Sequence, residues 1–395
     1  MQNLKNSVLD NFLFCAFLVL AVYFCYTGGY GSDEDTLPML GTFKNFLDGN
    51  FMTSRFTGYP VAEFSIGFLS YFYGSFITNL FTFLLFIIGG TIFYLSNTDK
   101  LNKINRNHLM LYLVLLISNP ILFFDNLEPI DYSWAFFFFA IGCYFLNKQQ
   151  KELACIFFGI CIGTRINFCP FVIAAIFTLH MDQRLNFSKK IVISLSSIFI
   201  GCLFYLPVWI HSSLTLEWLT AGRPEDGLMA LIARFSYKTF LTIGYLQVFL
   251  IAYLAYKFCD FKTVKKNLNF MIAIIILNLA IFLWIPAELS YLQPMLICLY
   301  FIIIKSLNRK FIYLILIFNL STWIYNFNPI EIDYKYKDKC APRVATSIKI
   351  SPHFDTGYLK KFIENKKMIN CWIDPKSKYG KIILEGKPLK ELDVN

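Results

Sequence analysis

Apolar stretches of about 15 to 20 residues follow one another from the N-terminus to residue 326 of this chain. A helix needs roughly 20 such residues to cross about 30 Å of hydrocarbon. A water-soluble protein normally has about a quarter of its residues charged, whereas 16% of these 395 residues are charged and 56% are hydrophobic. These features exclude one or two water-soluble domains and predict an all-α polytopic membrane protein.

We predict about 11 transmembrane helices from the positions of these stretches. The stretches are 8–27, 76–96, 109–124, 132–147, 153–165 with 166–180, 191–211, 239–257, 268–285, 293–305 and 311–326. The sequence Gly163-Thr164-Arg165 and Pro170 interrupt the region 153–180, so we interpret it as two short helices that meet at the outer side. One kinked helix is the alternative, and it gives ten spans.

The charges divide between two sides of this layout. On one side 16 basic residues stand against five acidic ones, and in the loops of the other side six basic residues stand against 12 acidic ones. Because positive charge resists translocation, the basic side is cytoplasmic and the N-terminus lies inside. We therefore expect a multi-pass protein of a bacterial cytoplasmic (inner) membrane. The net charge of +10 reflects this topology and a basic tail, and it is no argument for binding nucleic acid.

The chain divides into a transmembrane domain, 1–326, and a small soluble tail, 327–395. The domain includes a large first outer loop, 28–75, and the tail has 14 basic and nine acidic residues. Eleven spans put the tail outside the cell, and ten put it in the cytoplasm. Cys340 and Cys371 either pair in an oxidising compartment or remain free thiols.

The first outer loop has three consecutive carboxylates near its start: Asp33, Glu34 and Asp35. Like charges this close repel, so the pKa of at least one should be raised unless a cation or an arginine compensates. A raised pKa suits a general base held near the membrane surface. The alternative interpretation is a solvated acidic loop.

The rest of this loop combines an amphipathic helix with a chain break. Leu37, Leu40, Phe43 and Leu47 recur at helical spacing, which predicts a helix lying in the membrane interface. The sequence Gly58-Tyr59-Pro60 then breaks the chain before the apolar segment 61–75. Tyr59 is a candidate for substrate binding. Arg55 is a candidate for binding an anion, with a lipid-headgroup contact as the alternative.

The other outer loops add carboxylates and arginines. The second loop contains Asp125, Glu128 and Asp131, and Asp131 is either a helix cap or a functional contact. Arg165 lies between two short helices, where a cation is costly unless it reaches water or an anion. Arg223 lies in the third outer loop. Together these residues predict an outward-facing cavity in which carboxylates orient a hydroxyl and arginines bind a phosphate.

The order of these features resembles the GT-C glycosyltransferases. An acidic pair, Asp33-Glu34, opens the large first loop, an amphipathic stretch follows, and Gly58-Tyr59-Pro60 precedes the second span. The sequence from Asp131 to Phe136 and the Gly163-Thr164-Arg165 break are also similar to this group. Many members have a Thr-Arg-Pro-like sequence at that break, and here the proline, Pro170, comes five residues later. The similarity is greatest to protein mannosyltransferases, aminoarabinose transferases and bacterial dolichyl-phosphate-mannose-mannosyltransferase-like proteins, and it covers roughly the first half of the chain.

The resemblance implies an inverting transferase that moves a sugar from a polyprenyl-phosphate donor to a hydroxyl of a glycan, lipid or protein on the outer face of the bilayer. It implies that Asp33 is the catalytic base and that Glu34 or Asp35 supports it or holds a divalent cation. The metal requirement varies within the superfamily and stays open here. The resemblance further implies that Asp131 orders the acceptor site. The donor phosphate is then neutralised by Arg165 or Arg223, and Arg55, Tyr59 and Glu128 are further substrate-binding candidates.

Three other function classes stay open at this point. A flippase-type transporter predicts ionisable residues along the middle of the spans, whereas the charges of this chain collect at the faces. An O-antigen-type polymerase normally has its large loop late in the chain, whereas this large loop comes first. A non-catalytic membrane scaffold is the third alternative, because a fold does not by itself establish an activity.

Overall fold

A computed structural model describes most of the chain. It covers residues 2–31, 36–51, 53–54, 58–98, 106–178, 186–211, 227–258, 269–286, 288–336, 343–368, 373 and 376–392. Cys340 and Cys371 lie outside these ranges, so their predicted alternatives are not addressed. The eight cysteines at described positions are all free thiols.

The described chain is predominantly helical, with one β-hairpin near its C-terminus. The helices of the first half are α1 (Gln2–Thr27), α2 (Thr36–Leu47), α3 (Pro60–Ser96), α4 (Arg106–Ser118), α5 (Pro120–Asp125), α6 (Asp131–Asn147), α7 (Lys151–Thr164), α8 (Cys169–Thr178) and α9 (Phe187–His211). Those of the second half are α10 (Gly227–Ile243), α11 (Tyr245–Phe258), α12 (Asn269–Trp284), α13 (Gln293–Ser306), α14 (Arg309–Ile324), α15 (Tyr358–Met368) and α16 (Lys378–Leu384). Strands β1 (Tyr325–Tyr336) and β2 (Arg343–Thr356) pair antiparallel.

Several helices are long and apolar enough to cross a membrane. Four meet this criterion alone, and a bent pair brings the number to five. They are Val8–Thr27, Pro60–Ser96, Phe187–His211, Leu289–Ser306 and the pair Leu231–Ile243 with Tyr245–Lys257. Large apolar side chains such as Phe12, Val19 and Phe199 are more than 60% exposed on these helices. Such exposed apolar surface is typical of helices that contact lipid.

Glycines allow close packing among helices α6, α7 and α9. A methyl group added at Gly142 would lie 2.4 Å from the ring of Phe158, and one at Gly159 would lie 2.4 Å from the side chain of Ile200. Small residues at such crossings let helix backbones approach closely, which is the usual basis of helix association in membranes. This packing fixes the end of α7, and therefore the position of Arg165.

Two predicted spans are each divided into two helices. The predicted span 109–124 breaks at Asn119, whose Oδ1 accepts hydrogen bonds from the backbone N–H groups of Ile121 and Leu122, 3.1 Å each. Pro120 has no N–H to continue α4, so it begins α5 instead. The predicted span 239–257 breaks at Gly244, where α10 and α11 meet at 76°. The region 153–180 forms two helices separated at Arg165, as predicted.

The C-terminal tail is folded against one end of the helical bundle. The backbone N–H of Ser75 donates to the Gly386 carbonyl at 3.0 Å, and the Tyr30 hydroxyl donates to the Lys387 carbonyl at 2.8 Å. Helix α3 is kinked here at Gly74, whose φ of 77° favours glycine and whose missing side chain leaves room for the Gly386 carbonyl. The tail therefore lies at the same end as the first loop. The predicted all-α class is confirmed for the described chain, and the tail adds one β-hairpin to it.

The opposite end of the bundle holds the residues that the charge pattern assigned to the other side. Asp10 of α1 forms an ion pair with Arg309 of α14, and its carboxylate accepts a hydrogen bond from the Tyr313 hydroxyl at 2.7 Å. The Asn147 side chain donates to the Ser96 carbonyl at 2.5 Å, which joins the ends of α6 and α3. The charge pattern assigned these helix ends to one side of the membrane, and in the structure they contact one another in pairs.

Candidate functional site

Arg165 is the centre of a buried polar cluster at the end of the bundle that carries the first loop. It follows the last residue of α7, and its side chain is 3% exposed. One guanidinium nitrogen pairs with the Asp131 carboxylate, and the other donates to the Tyr132 hydroxyl at 2.6 Å. A buried cation is stable only with such partners, because removing it from water is costly.

Three tyrosine rings surround the same guanidinium. Its central carbon lies 3.6 Å from the ring centre of Tyr132 and 4.8 Å from those of Tyr59 and Tyr291. Aromatic faces attract cations at these distances, more strongly where water is excluded. Tyr59 precedes α3, Tyr132 belongs to the first turn of α6 and Tyr291 belongs to the short segment Leu289–Leu292 before α13, so the arginine holds three separate segments together.

Asp131 is the first residue of α6, and Ile130 precedes the helix as its N-cap without a side-chain cap hydrogen bond. The interpretation of Asp131 as a helix cap is therefore wrong. Its carboxylate is engaged with Arg165 instead. A negative charge in the first turn is also favoured by the helix dipole, so two effects stabilise this buried carboxylate.

Glu128 joins the second loop to the start of the acidic segment in the first. Its side chain is 4% exposed and packs against Gly31, where an added methyl group would lie 2.9 Å from its carboxyl carbon. Gly31 has a φ of 98°, which side chains other than glycine rarely adopt. The Thr36 hydroxyl donates to the Tyr30 carbonyl at 3.1 Å. The two described ends of the acidic segment are therefore joined to each other, and one of them, Gly31, contacts Glu128.

A second buried carboxylate, Glu63, was not singled out in the sequence. Its two oxygens accept hydrogen bonds from the Thr42 hydroxyl at 3.0 Å, from the Ser54 N–H and hydroxyl at 2.6 and 2.7 Å, and from the Tyr59 N–H at 2.9 Å. Glu63 thereby fixes Tyr59 next to Arg165. The sequence signal that could have identified Glu63 is a single acidic residue within an apolar helical segment.

Two basic side chains of α10 extend the cluster. Lys238 interacts electrostatically with Arg234 and with Glu288, and Glu288 also acts on the buried Tyr132 hydroxyl. Arg234 and Lys238 are four residues apart, so they project from the same face of the helix. Glu288 therefore connects these two basic side chains to the Arg165 cluster through Tyr132.

The structure brings three of the predicted site residues together, places a fourth beside the first loop and leaves five outside its description. Tyr59, Asp131 and Arg165 lie in one cluster, and Glu128 packs against Gly31. Asp33, Glu34, Asp35, Arg55 and Arg223 lie outside the described residues. Within the described ranges, no group of three or more His, Cys, Asp or Glu side chains is arranged to hold a metal ion.

Comparisons with known proteins add no relative for this arrangement. A scan against protein-family models and searches of curated proteins and solved structures found no match to the chain. The functional argument therefore depends on the chemistry of the cluster itself.

Proposed function

We propose that this protein is a membrane glycosyltransferase of the GT-C type, with about 11 spans and its N-terminus inside, that moves a sugar from a polyprenyl-phosphate donor to a hydroxyl on the outer face of the membrane. The observations that carry the proposal are the contacts of Arg165 with Asp131 and Tyr59 and the contact of Glu128, three residues before Asp131, with Gly31 next to the acidic segment 32–35. These contacts support one site built from separate outer loops.

In the proposed reaction Asp33 acts as the general base. Its carboxylate takes the proton of the acceptor hydroxyl while the acceptor oxygen forms a bond to the anomeric carbon. The bond between that carbon and the phosphate oxygen breaks, and its electron pair leaves with the polyprenyl phosphate. Attack opposite to the leaving group inverts the anomeric carbon. A carboxylate suits this role only if the segment that carries it is held in place, which Glu128 and Thr36 support.

The guanidinium of Arg165 orders the site in this proposal. Its two terminal nitrogens already bind Asp131 and Tyr132, so it holds the loops that carry these residues in fixed positions for the reaction. The departing phosphate needs separate positive charge. Arg234 and Lys238 are suited to supply it from α10, together with Arg55 or Arg223 from the outer loops.

The position of the tail supports the eleven-span topology. The tail contacts Tyr30, Ser75 and Phe124, which belong to the end of the bundle that carries the first and second loops. With the N-terminus inside, an odd number of spans puts the tail on that outer side. We therefore propose an extracytoplasmic tail, in a multi-pass protein of a bacterial cytoplasmic membrane.

A transfer assay tests the proposal. Purified full-length protein in lipid nanodiscs is incubated with a panel of radiolabelled polyprenyl-phosphate sugars and extracted membrane glycolipids. We expect label to enter an acceptor with at least one donor, and Asp33→Asn to reduce the rate at least 100-fold, since general-base catalysis contributes about 10²–10⁴-fold.

The matched control is Asp48→Asn, which removes an exposed carboxylate from the same loop. It should leave the rate within about twofold of wild type. If no donor supports transfer, or if Asp33→Asn and Asp48→Asn have the same rate as wild type, the proposed function is wrong.

A further inference from the structure

Helix α3 is longer than one membrane crossing requires. It has 37 residues and is therefore about 55 Å long, whereas the hydrocarbon of a bilayer is about 30 Å thick. The kink at Gly74 divides it into a first part, 60–73, and a second part, 75–96. The second part contains no charged residue and is about 33 Å long. It can therefore cross a membrane by itself.

The end of α1 marks the level at which this crossing ends. The apolar span of α1 ends at Thr27, and the ring of the exposed Tyr26 lies 6.0 Å from that of Phe76. The Asn79 side chain donates to the Gly29 carbonyl at 2.6 Å. Tyrosines are enriched at the boundary between membrane and water. The two spans therefore end at the same level, next to the kink, and the first part of α3 lies at or beyond this boundary.

The first part of α3 exposes aromatic side chains. The exposed residues of 60–73 are Phe64, Phe68, Phe72 and Tyr73. The three phenylalanines are spaced by four residues, so they lie on one face of the helix, and each is between 36% and 42% exposed. These three side chains form the aromatic face of α3. Exposed apolar residues resume directly after the kink, at Ile77, Phe81, Leu84 and Ile88.

The rest of the first part is packed against protein. An added methyl group at Gly67 would lie 2.8 Å from Cβ of Phe43 in α2. Phe43 and Leu40 of α2 are themselves buried, so α2 turns these apolar residues to the protein interior. Glu63 is fully buried as well. The aromatic face is therefore the surface that this part of α3 leaves for a partner.

The aromatic face is held in place from behind and has a cation at its edge. The rings of Phe64 and Phe68 lie 5.2 and 5.3 Å from the ring of Phe43. The ammonium group of Lys390, an exposed residue of the tail, lies 6.0 Å from the centre of the Phe72 ring. Helices that lie in a membrane interface combine aromatic residues with basic ones in this way.

Lipid is the partner that the position of this face favours. Exposed apolar patches mark sites where a protein meets another protein or a membrane. This patch lies at the level where two spans end, and it belongs to the same helix as the exposed residues of one of them. Interfacial helices insert an apolar face about 5–10 Å into the boundary between headgroups and acyl chains.

We infer that the aromatic face of α3 is embedded in the lipid leaflet on the side of the first loop. The first part of α3 then lies along the membrane instead of projecting into water. Tyr59, which Glu63 holds at the start of this helix, then lies at the level of the membrane surface. The inference does not depend on the proposed transfer reaction, because lipid contact alone is its readout.

Photo-crosslinking tests the inference. Phe64, Phe68 and Phe72 are replaced one at a time by p-benzoylphenylalanine in the full-length protein, in phosphatidylcholine nanodiscs. After illumination, intact-mass spectrometry measures the fraction of chains with a lipid adduct. We expect each position to give a yield within about threefold of that at Phe81, in the span.

The matched control is Ile350, which is 89% exposed in the β-hairpin. Ile350 pairs with Ile330 and therefore lies about 17 Å along the hairpin from the end of α14. The same probe at Ile350 should give at least about tenfold fewer lipid adducts than at the three phenylalanines.

Hydroxyl-radical footprinting of the wild-type chain is a second measurement that needs no substitution. Exposed fractions alone predict that the three phenylalanines react about twofold more slowly than Ile350, after correction for intrinsic reactivity. Lipid cover should make this difference at least about tenfold in nanodiscs.

Any of four results overturns the inference. These are no lipid adduct at any of the three phenylalanines, crosslinks to a second copy of the chain in place of lipid, equal adduct yields at Ile350, or oxidation of the phenylalanines only about twofold slower than that of Ile350.

Discussion

The two ends of the helical bundle each hold a buried ion pair, and their surroundings differ. The Asp131–Arg165 pair is at most 3% exposed on both sides and is enclosed by three tyrosine rings. In the Asp10–Arg309 pair, which joins α1 to α14, the arginine side chain is 21% exposed. The difference shows which end gathers separate loops. A site for a substrate fits the end where several segments are held around one charge.

Replacement of Arg165 should have the largest effect on the stability of the protein. Arg165→Met removes the cation that pairs with the buried Asp131 carboxylate, and breaking a buried pair costs about 3–5 kcal/mol. We expect this loss of stability in unfolding of the purified protein in nanodiscs. The double variant Arg165→Met with Asp131→Leu should regain most of it.

The other ion pair provides the comparison for that prediction. Arg309→Met should cost less, because water reaches this arginine and Asp10 keeps its hydrogen bond from Tyr313. Equal losses at both ends would contradict the distinction between them.

A methyl group at Gly31 should disturb the link between the first and second loops. Gly31→Ala forces a side chain into a φ of 98° and against Glu128, and such backbone strain costs about 1–3 kcal/mol before the steric clash is added. We expect a lower thermal midpoint and reduced sugar transfer. Gly41→Ala is the control. A methyl group there contacts nothing within 4 Å, and alanine favours the helix by up to about 1 kcal/mol.

Replacement of Glu63 should weaken the contact that holds Tyr59 beside Arg165. Each oxygen of Glu63 accepts two hydrogen bonds, so Glu63→Gln puts an NH₂ group opposite two donors. A hydrogen bond to a buried charged group contributes about 1.5–3 kcal/mol. We expect a stability loss of about 2 kcal/mol and a weaker effect on transfer than Asp33→Asn has. Glu152→Gln, at an exposed position of α7, should change neither property.

The ion pair between Asp355 and Lys361 in the tail should contribute least to the stability of the protein. Burial raises the pKa of Asp355, but the hydrogen bond and charge of Lys361, 2.7 Å away, outweigh it, so the pKa lies below its usual 3.8. A lowered pKa gives stability that is present above pH 3.8 and is lost as the pH falls through the folded-state value.

Asp355→Asn should therefore cost under about 1 kcal/mol at pH 7, because the pair is about a third exposed. The difference from wild type should vanish as the pH falls below the folded-state pKa, when the wild-type carboxyl is neutral too. Glu364→Gln, in a more exposed pair, should show no measurable change at either pH. A difference that grows at low pH would contradict the assigned direction of the pKa shift.

Local pattern was enough to predict some elements. The spacing of Leu37, Leu40 and Phe43 predicted α2, and the Gly163-Thr164-Arg165 break predicted separate helices on either side. The two missed breaks also had local signals. Asn119-Pro120 combines a capping residue with a residue that cannot continue a helix, and Gly244 interrupts an apolar run. A hydropathy profile alone shows neither break, because the sequence stays apolar on both sides of it.

The arrangement of the site was only partly predictable. The charge pattern grouped Glu128, Asp131 and Arg165 at one end, but it could not pair Asp131 with Arg165, because the positions of α6, α7 and α9 depend on packing at glycines such as Gly142 and Gly159. The three tyrosine rings around Arg165 likewise come from segments far apart in sequence. Aromatic residues are too frequent in this chain, at 18%, for their positions alone to indicate a site.

The stoichiometry of the reaction tests the account most directly. Doubly labelled donor, with one label in the sugar and another in the phosphate, is supplied to wild-type protein with acceptor glycolipid. We predict one polyprenyl phosphate released for each sugar bound to the acceptor, with inverted anomeric configuration, and neither product above background with Asp33→Asn. Sugar released only to water, or no cleavage of any donor, would contradict the assignment of this end of the bundle as a sugar-transfer site.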